Sequence, residues 1–256
     1  MSAAQPGSAV PPVVEVDLGA DARAGFSTRG GGVSRPPYDA LNLGYAVGDD
    51  PAAVARNRAG LERWAGAPVA YATQVHGTRV VVLSQPPAPG STSVGEADAL
   101  VSVSPQVAVA VLVADCVPVL LADPEAGVVA AVHAGRRGLV AGVVEAAVAA
   151  MVAQGASVGR VRAAIGPGIA GESYEVPAEL QDAVVSVVPQ TRATTSWGTP
   201  ALDLPAGVAA VLAAAGVEHV TQLARDTWTD PALFSFRRSQ RTGRFAGVVR
   251  PSRRAI

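Results

Sequence analysis

The sequence predicts an α/β chain of the α+β type, with mixed β-sheets and helices packed outside them. Three observations lead there. Short Val-rich runs alternate with Ala-rich runs of helical length, yet several strand-like runs follow one another directly, which disfavours a pure βαβ array. The run 107–113 is apolar on both faces, as a central strand is. A content of 49% apolar and 16% charged residues supplies a sizeable core. A length of 256 residues is compatible with one larger domain, and neither a linker nor an internal repeat divides the chain.

Local chemistry gives the elements in order. Residues 1–12 are rich in Ala, Pro, Gly and Ser and predict a disordered tail ahead of a domain at 13–256. Phe26-Ser-Thr-Arg-Gly-Gly-Gly-Val-Ser34 reads as a surface loop, its three glycines permitting positive φ and close approach of backbone. Asp50-Pro51 opens a helix over 51–65, with Pro in the first helical position and Asp as the cap. The stretch 69–83 is β-like and interrupted at His76-Gly77. After a Pro/Gly/Ser loop at 86–95, strands are expected at 99–102, 107–113, 117–122 and 128–132. The stretch 138–154 reads as one long Ala/Val helix with Gly155 just past its end. A strand is expected at 161–165 and helices at 178–188 and 204–215, the last with Asp203 before it and Pro205 in its first turn. A strand at 219–224 and an Arg-punctuated strand pair at 234–249 complete the pattern.

Charge excludes several functions. Twenty basic against 21 acidic residues give a net charge of -1, so no global field recruits nucleic acid or an anionic membrane. Every basic residue is Arg, which removes Schiff-base chemistry and the P-loop lysine. One Cys precludes an internal disulfide. The N-terminus lacks a charged leader, and no apolar run approaches the ~20 residues of a membrane span, so the expectation is a soluble, cytoplasmic protein.

Three His and one Cys are the whole supply of soft metal ligands. His76 lies in Gln74-Val-His-Gly77, Cys116 in Ala114-Asp-Cys-Val-Pro118, and His133 in Val132-His-Ala-Gly135. The last two stand at the ends of consecutive predicted strands, where α/β sheets place ligand sites. Three protein ligands with a fourth position open is the arrangement of a catalytic zinc. A bound metal would also keep the thiolate beside the Asp115 carboxylate. Each residue alone has a plainer reading, as a buried small apolar group or a hydrogen-bonded scaffold histidine. A second chemistry needs no metal: Cys116 as nucleophile with His133 or His76 as its base, against which the charge of Asp115 counts. Gly166-Pro-Gly-Ile-Ala-Gly171 matches G-x-G-x-x-G after a strand, but Pro167 and the extended Ser173-Tyr-Glu-Val176 argue for a pocket wall and not a dinucleotide site. Arg237, Arg238, Arg241, Arg244, Arg250, Arg253 and Arg254 crowd the C-terminal segment without making a nucleic-acid patch, although Arg237 and Arg238 suit a phosphate or carboxylate. His219 reads as scaffold.

Ordered motifs over about residues 25–249 resemble one family. They include Phe26-Ser-Thr-Arg-Gly-Gly-Gly-Val-Ser34, Leu41-Asn-Leu-Gly44, Gln74-Val-His-Gly77, Glu96-Ala-Asp-Ala99, Ala114-Asp-Cys-Val-Pro118, Val132-His-Ala-Gly135, Ile165-Gly-Pro-Gly168 and Ser235-Phe-Arg-Arg238. The family is the bacterial laccase-domain family, once called multicopper polyphenol oxidases and later purine nucleoside phosphorylases. The resemblance implies a single domain of mixed sheets sandwiched between helices, similar to a cysteine-dependent deamidase toxin. It implies a metal, usually zinc, at His76, Cys116 and His133. It further implies phosphorolysis of adenosine, inosine and methylthioadenosine, with adenosine deamination, on a purine nucleoside and phosphate. The alternatives it carries are an amidase of peptidoglycan quality control and a copper phenol oxidase. Copper is disfavoured, because three His cannot ligate the several ions of a laccase. Arg136 stands where the family often has Trp, and Asp226-Thr227 where many members have Cys-Thr. Monomer and small homo-oligomer both stay open.

Motif position suggests further roles. Asp115 is the candidate proton shuttle, since the usual zinc-deaminase Glu is absent. Arg29, Arg137 or the Gly30–Gly32 loop would hold phosphate. Asn42 and Gln74 would hydrogen-bond base or ribose.

Overall fold

A computed structural model describes residues 11–20 and 22–252. Residues 1–10 of the expected tail, and Arg253 and Arg254, lie outside the described residues. Pro11, expected in the tail, is buried, and the Pro12 carbonyl accepts the Thr28 N–H at 3.3 Å.

Two mixed sheets stack face to face between helices. One contains, in spatial order, β1 (Val13–Val16), β2 (Ala22–Ser27), β13 (Phe245–Pro251), β6 (Ala108–Val113) and β3 (Val69–Ala70). The other runs β12 (His219–Gln222), β9 (Arg162–Ile165), β7 (Val117–Asp123), β8 (Val128–Ala134), β5 (Ala99–Ser102) and β4 (Val80–Leu83). A small ribbon pairs β10 (Arg192–Thr194) with β11 (Pro200–Leu202). The helices are α1 (Pro51–Ala65), α2 (Arg136–Ala141), α3 (Val143–Ala153), α4 (Ala178–Val185) and α5 (Leu204–Ala214). No helix among the described residues is long and apolar enough to cross a membrane.

Alternation along the strands explains the stacking, because successive side chains point to opposite faces. On β6, Ala108 and Ala110 meet Leu61 and Trp64 of α1, while Val109 and Val111 meet Leu120 and Ala131 of the second sheet. On β7, Val117, Val119 and Leu121 turn outward to α3 and α5. Both strands are therefore apolar on both faces, β7 up to Ala122. The result is four layers, helix–sheet–sheet–helix, in agreement with the expected mixed sheets between helices.

Caps fix the helix ends. The Asp50 carboxylate accepts the Ala52 N–H at 3.0 Å and Asp203 caps Ala206 at 2.8 Å, each cap contributing about 1 kcal/mol. The expected helix 138–154 is two helices. Gly142 at φ +93° closes α2 and opens α3, a conformation that costs glycine little. Gly135 lets α2 begin at Arg136. The expected strand pair at 234–249 is only β13. Ahead of it, the Arg238 guanidinium takes the carbonyls of Thr227, Trp228, Asp230 and Leu233 and gathers the chain into turns. Gly166 ends β9 where a Cβ would lie 2.2 Å from the Phe26 ring, and no helix opens after it, so the Gly166–Gly171 motif is a tight-packed wall.

Candidate metal centre

Cross-strand register builds the site. Antiparallel pairing of β7 with β8 sets Pro118 opposite His133 and, one step beyond the pair Val117–Ala134, brings Cys116 to Gly135. Pairing of β5 with β8 sets Ala99 opposite Val132 and so Asp98 beside His133, whose N–H bonds the Asp98 carbonyl at 2.7 Å. His76 comes from the chain that crosses between sheets, after β3 and before β4. Cys116 and His133 thus meet because the carboxyl end of β8 lies against the start of its antiparallel neighbour.

Asp98, fully buried, organises the third ligand. Its carboxylate accepts the backbone N–H groups of Val75, His76 and Gly77 at 3.2, 2.9 and 2.7 Å. These bonds hold His76 at φ +61°, in a left-handed conformation uncommon outside glycine. The same carboxylate bonds His133 Nδ1 at 2.8 Å, which leaves Nε2 to face the site. This is the carboxylate–histidine support common behind metal ligands. Asp115 is the other non-glycine residue at positive φ among the described residues, at +97°. Strained backbone collects at functional sites.

One ligand atom from each of His76, Cys116 and His133 lies within 4.8 Å of the others. The His76 and His133 rings meet edge to face with centroids 4.8 Å apart. Cys116 Sγ stands 3.7 Å from His76 Nε2. A tetrahedral ion with nitrogen at ~2.05 Å and sulfur at ~2.3 Å separates those two atoms by roughly 3.6 Å. The donor set therefore fits one zinc-like ion. Gly135 makes room for it: a Cβ there would lie 2.6 Å from His76 Cδ2 and 3.0 Å from Cys116 Sγ.

Charges within the group are coupled. Burial opposes ionisation of the Cys116 thiol, but His133 and His76 outweigh it and bring the pKa down to about 6. Burial likewise opposes charge on His133, yet the Cys116 thiolate and Asp98 raise it to about 9. Asp98 is held below the usual carboxylate range: burial works against it, and the bonds from His133, Gly77 and Val75 prevail. Without metal the arrangement is a thiolate–imidazolium pair backed by a carboxylate.

The three residues open into a pocket of about 690 Å³, within the roughly 300–1,000 Å³ typical of small-molecule sites. Asp115 lines it, with its two carboxylate oxygens accepting the Thr227 hydroxyl and the Arg237 N–H, each at 2.6 Å. Gln74 lines it too, but both ends of its amide are bonded to the Leu112 backbone at 2.8 Å. Asn42 is fully buried behind the wall, joined to Gly44, Asp49 and the Arg244 N–H. Arg29 is ion-paired with Asp39 at 2.9 Å, and Arg137 is exposed; neither lines the pocket. His219 sits exposed at the start of β12. Sequence reasoning assigned no role to Asp98, although it stands in the quoted Glu96-Ala-Asp-Ala99 motif, nor to Tyr174, Phe236 and Arg244, which line the pocket.

The model of a family described as multi-copper polyphenol oxidoreductase laccase matches residues 23–251. A purine nucleoside phosphorylase of Streptomyces griseus is 52% identical over 227 residues, covering 88% of this chain and 92% of its own. One of Mycobacterium tuberculosis is 50% identical over 226 residues, covering 87% and 89%. Among solved structures, a Neisseria meningitidis protein is similar with a TM-score of 0.84 at 36% identity, covering 94% of this chain and 99% of its own. The Bacillus licheniformis hypothetical protein YfiH has a TM-score of 0.86 at 27% identity, covering 94% and 97%.

Proposed function

Because the chain belongs to the family described as multi-copper polyphenol oxidoreductase laccase, and relatives 50–52% identical to it are named purine nucleoside phosphorylases, we propose that it is a zinc-dependent purine nucleoside phosphorylase. The observation that carries this reading is the His76–Cys116–His133 set lining a nucleoside-sized pocket. Zinc suits two imidazoles and a thiolate, whereas the three His of the whole chain cannot furnish a multi-copper cluster.

In phosphorolysis a phosphate oxygen bonds the ribose C1′ as the bond to the purine nitrogen breaks, and the purine leaves with the electron pair and gains a proton. When bound, zinc supplies Lewis-acid polarisation and a water of lowered pKa. The remaining work belongs to the chain. Asp98 fixes His133 by its Nδ1 proton and His76 by its backbone. Gly135 keeps the space between His76 and Cys116 clear. Apolar walls at Leu112, Ile169, Leu204 and Phe236 suit a purine face. Adenosine deamination is the second activity we assign to this pocket, with Asp115 as proton shuttle; unchanged deamination by Asp115→Asn would remove that role. The location we assign is cytoplasmic, where a lone thiol stays reduced.

The test is a product assay on adenosine with and without phosphate, beside Cys116→Ala. Phosphate-dependent adenine, absent from the variant, supports phosphorolysis, and phosphate-independent inosine supports deamination. Equal product from the variant rejects both.

A second reading rests on one observation: Asp98, His133 and Cys116 are also ordered as carboxylate, base and nucleophile. A cysteine amidase acting on cell-wall peptides would keep its activity under chelation and lose it on thiol alkylation. The zinc enzyme fails under chelation.

A further inference from the structure

The pocket wall is unbalanced in charge. Arg58, Arg136, Arg237 and Arg244 line it against a single carboxylate, Asp115. Among the described residues none of the four is ion-paired. Their acceptors are neutral. Arg58, only 9% exposed, gives its Nε and Nη1 to the Leu43 and Thr92 carbonyls and lies between the Tyr45 and Tyr71 rings. Arg237 bonds the Glu175 carbonyl at 2.9 Å and covers the Tyr174 ring at 5.0 Å. Arg244 bonds the carbonyls of Thr242 and Gly243 through one nitrogen and covers Phe236 at 5.8 Å. Arg136 stands beside the Tyr174 phenol, next in sequence to the glycine that touches Cys116.

Three of the four converge on the metal-ligand side of the pocket. Arg244 is close enough to feel the charges of Cys116 and Asp115. The Arg237 backbone N–H bonds the carboxylate of Asp115, which anchors it to the residue one position from Cys116. Arg136 and Arg237 flank one phenol, itself within electrostatic reach of Cys116. Arg136 and Arg244 are half-buried without a counter-charge, which is costly, while Arg237 is exposed beside Tyr174; the planar forks of all three match oxyanions two oxygens at a time.

We propose that Arg136, Arg237 and Arg244 form a binding subsite for a phosphoryl oxyanion beside Cys116, filled by inorganic phosphate. The identity of the anion rests on the phosphorolytic reading; the existence of the subsite rests on the arginines. It replaces the assignment of phosphate to Arg29 and Arg137, the first of which is already neutralised by Asp39.

The experiment is calorimetric titration of the intact protein with inorganic phosphate and, separately, with a nucleoside 5′-monophosphate. Arg136→Gln, Arg237→Gln and Arg244→Gln are compared with wild type, and Arg56→Gln on the exposed face of α1 serves as the control. One phosphate per chain is expected, weakened at least tenfold by each pocket variant and unchanged by Arg56→Gln. That factor corresponds to one lost charge-assisted hydrogen bond. Melting curves show that each variant is folded, and Arg237→Lys, which keeps the charge, should recover part of the affinity. Absence of phosphate binding, or binding that no pocket variant alters, overturns the subsite. Arginine-dependent binding of the monophosphate alone overturns the choice of inorganic phosphate. Arginine-dependent phosphate binding without phosphorolysis keeps the subsite and removes the proposed activity. Phosphorolysis whose phosphate KM ignores all three variants keeps the activity and removes the subsite.

Discussion

Gly135→Ala adds one methyl group at the narrowest point of the site. The backbone there, at φ −78° and ψ 164°, suits alanine, so the effect is steric. The added Cβ would lie 2.6 Å from His76 Cδ2, where ordinary contact begins near 3.4 Å; the shortfall is 3.4 − 2.6, or 0.8 Å. It would also sit 3.0 Å from Cys116 Sγ, 0.4 Å too close on the same measure. Metal–ligand distances tolerate about 0.2 Å. His76 cannot retreat by backbone movement without breaking its bonds to Asp98. One ligand is therefore displaced. Loss of a supporting contact alone weakens metal binding about 10–100-fold, so displacement of a ligand should cost about 100-fold or more. Global stability should change by only about 1 kcal/mol, the usual difference between Gly and Ala at a helix N-cap. Zinc affinity measured by competition with a chromophoric chelator, alongside a melting curve, reads both. A folded Gly135→Ala protein whose zinc affinity is within twofold of wild type would refute this geometry.

Three other outcomes follow from the same contacts. Asp98→Asn removes the charge and turns one of two accepting oxygens into an NH2 donor, so either His133 Nδ1 and the His76 N–H or the Val75 and Gly77 N–H groups lose their acceptor; zinc affinity should fall about 10–100-fold and stability by about 3 kcal/mol, and a titration matching wild type would contradict the support assigned to Asp98. In metal-stripped protein the Cys116 thiol, at about 6, is ionised above that pH, so its alkylation rate should be flat from pH 7 to 9 and fall about tenfold per unit below 6. A midpoint near the ordinary ~8.5 would contradict the pairing with His133. Gln74→Ala strips the Leu112 backbone of two hydrogen bonds and should lower stability by about 2 kcal/mol, a Tm loss of several degrees; an unchanged Tm with a raised KM would make Gln74 a substrate ligand instead.

Much of this was legible where chemistry is local. Asp50-Pro51 announced the start of α1 because caps act over a few residues. The doubly apolar β6 announced a strand buried on both faces. Scarcity made the triad readable: with three His and one Cys, the candidates were few. Nonlocal effects were harder to read. The Gly142 break depends on one αL residue inside a helical pattern. β1 and β2, whose pairing sets Val13 against Ser27, are short and lack the strong alternation of central strands. Asp98 gains its role only from the β5–β8 register, which pairs residues 35 apart. The same holds for the arginines. Nothing local distinguishes Arg29, bound to Asp39, from Arg244, whose acceptors are carbonyls.

The most direct measurement is stepwise zinc addition to chelator-stripped protein, with bound metal and phosphate-dependent adenine release followed together. If zinc at this site carries the activity, both rise in proportion and saturate at one zinc per chain, and His76→Ala, Cys116→Ala and His133→Ala each lose both. Full activity in the stripped protein, or one tightly held zinc in the Cys116→Ala variant, would contradict it.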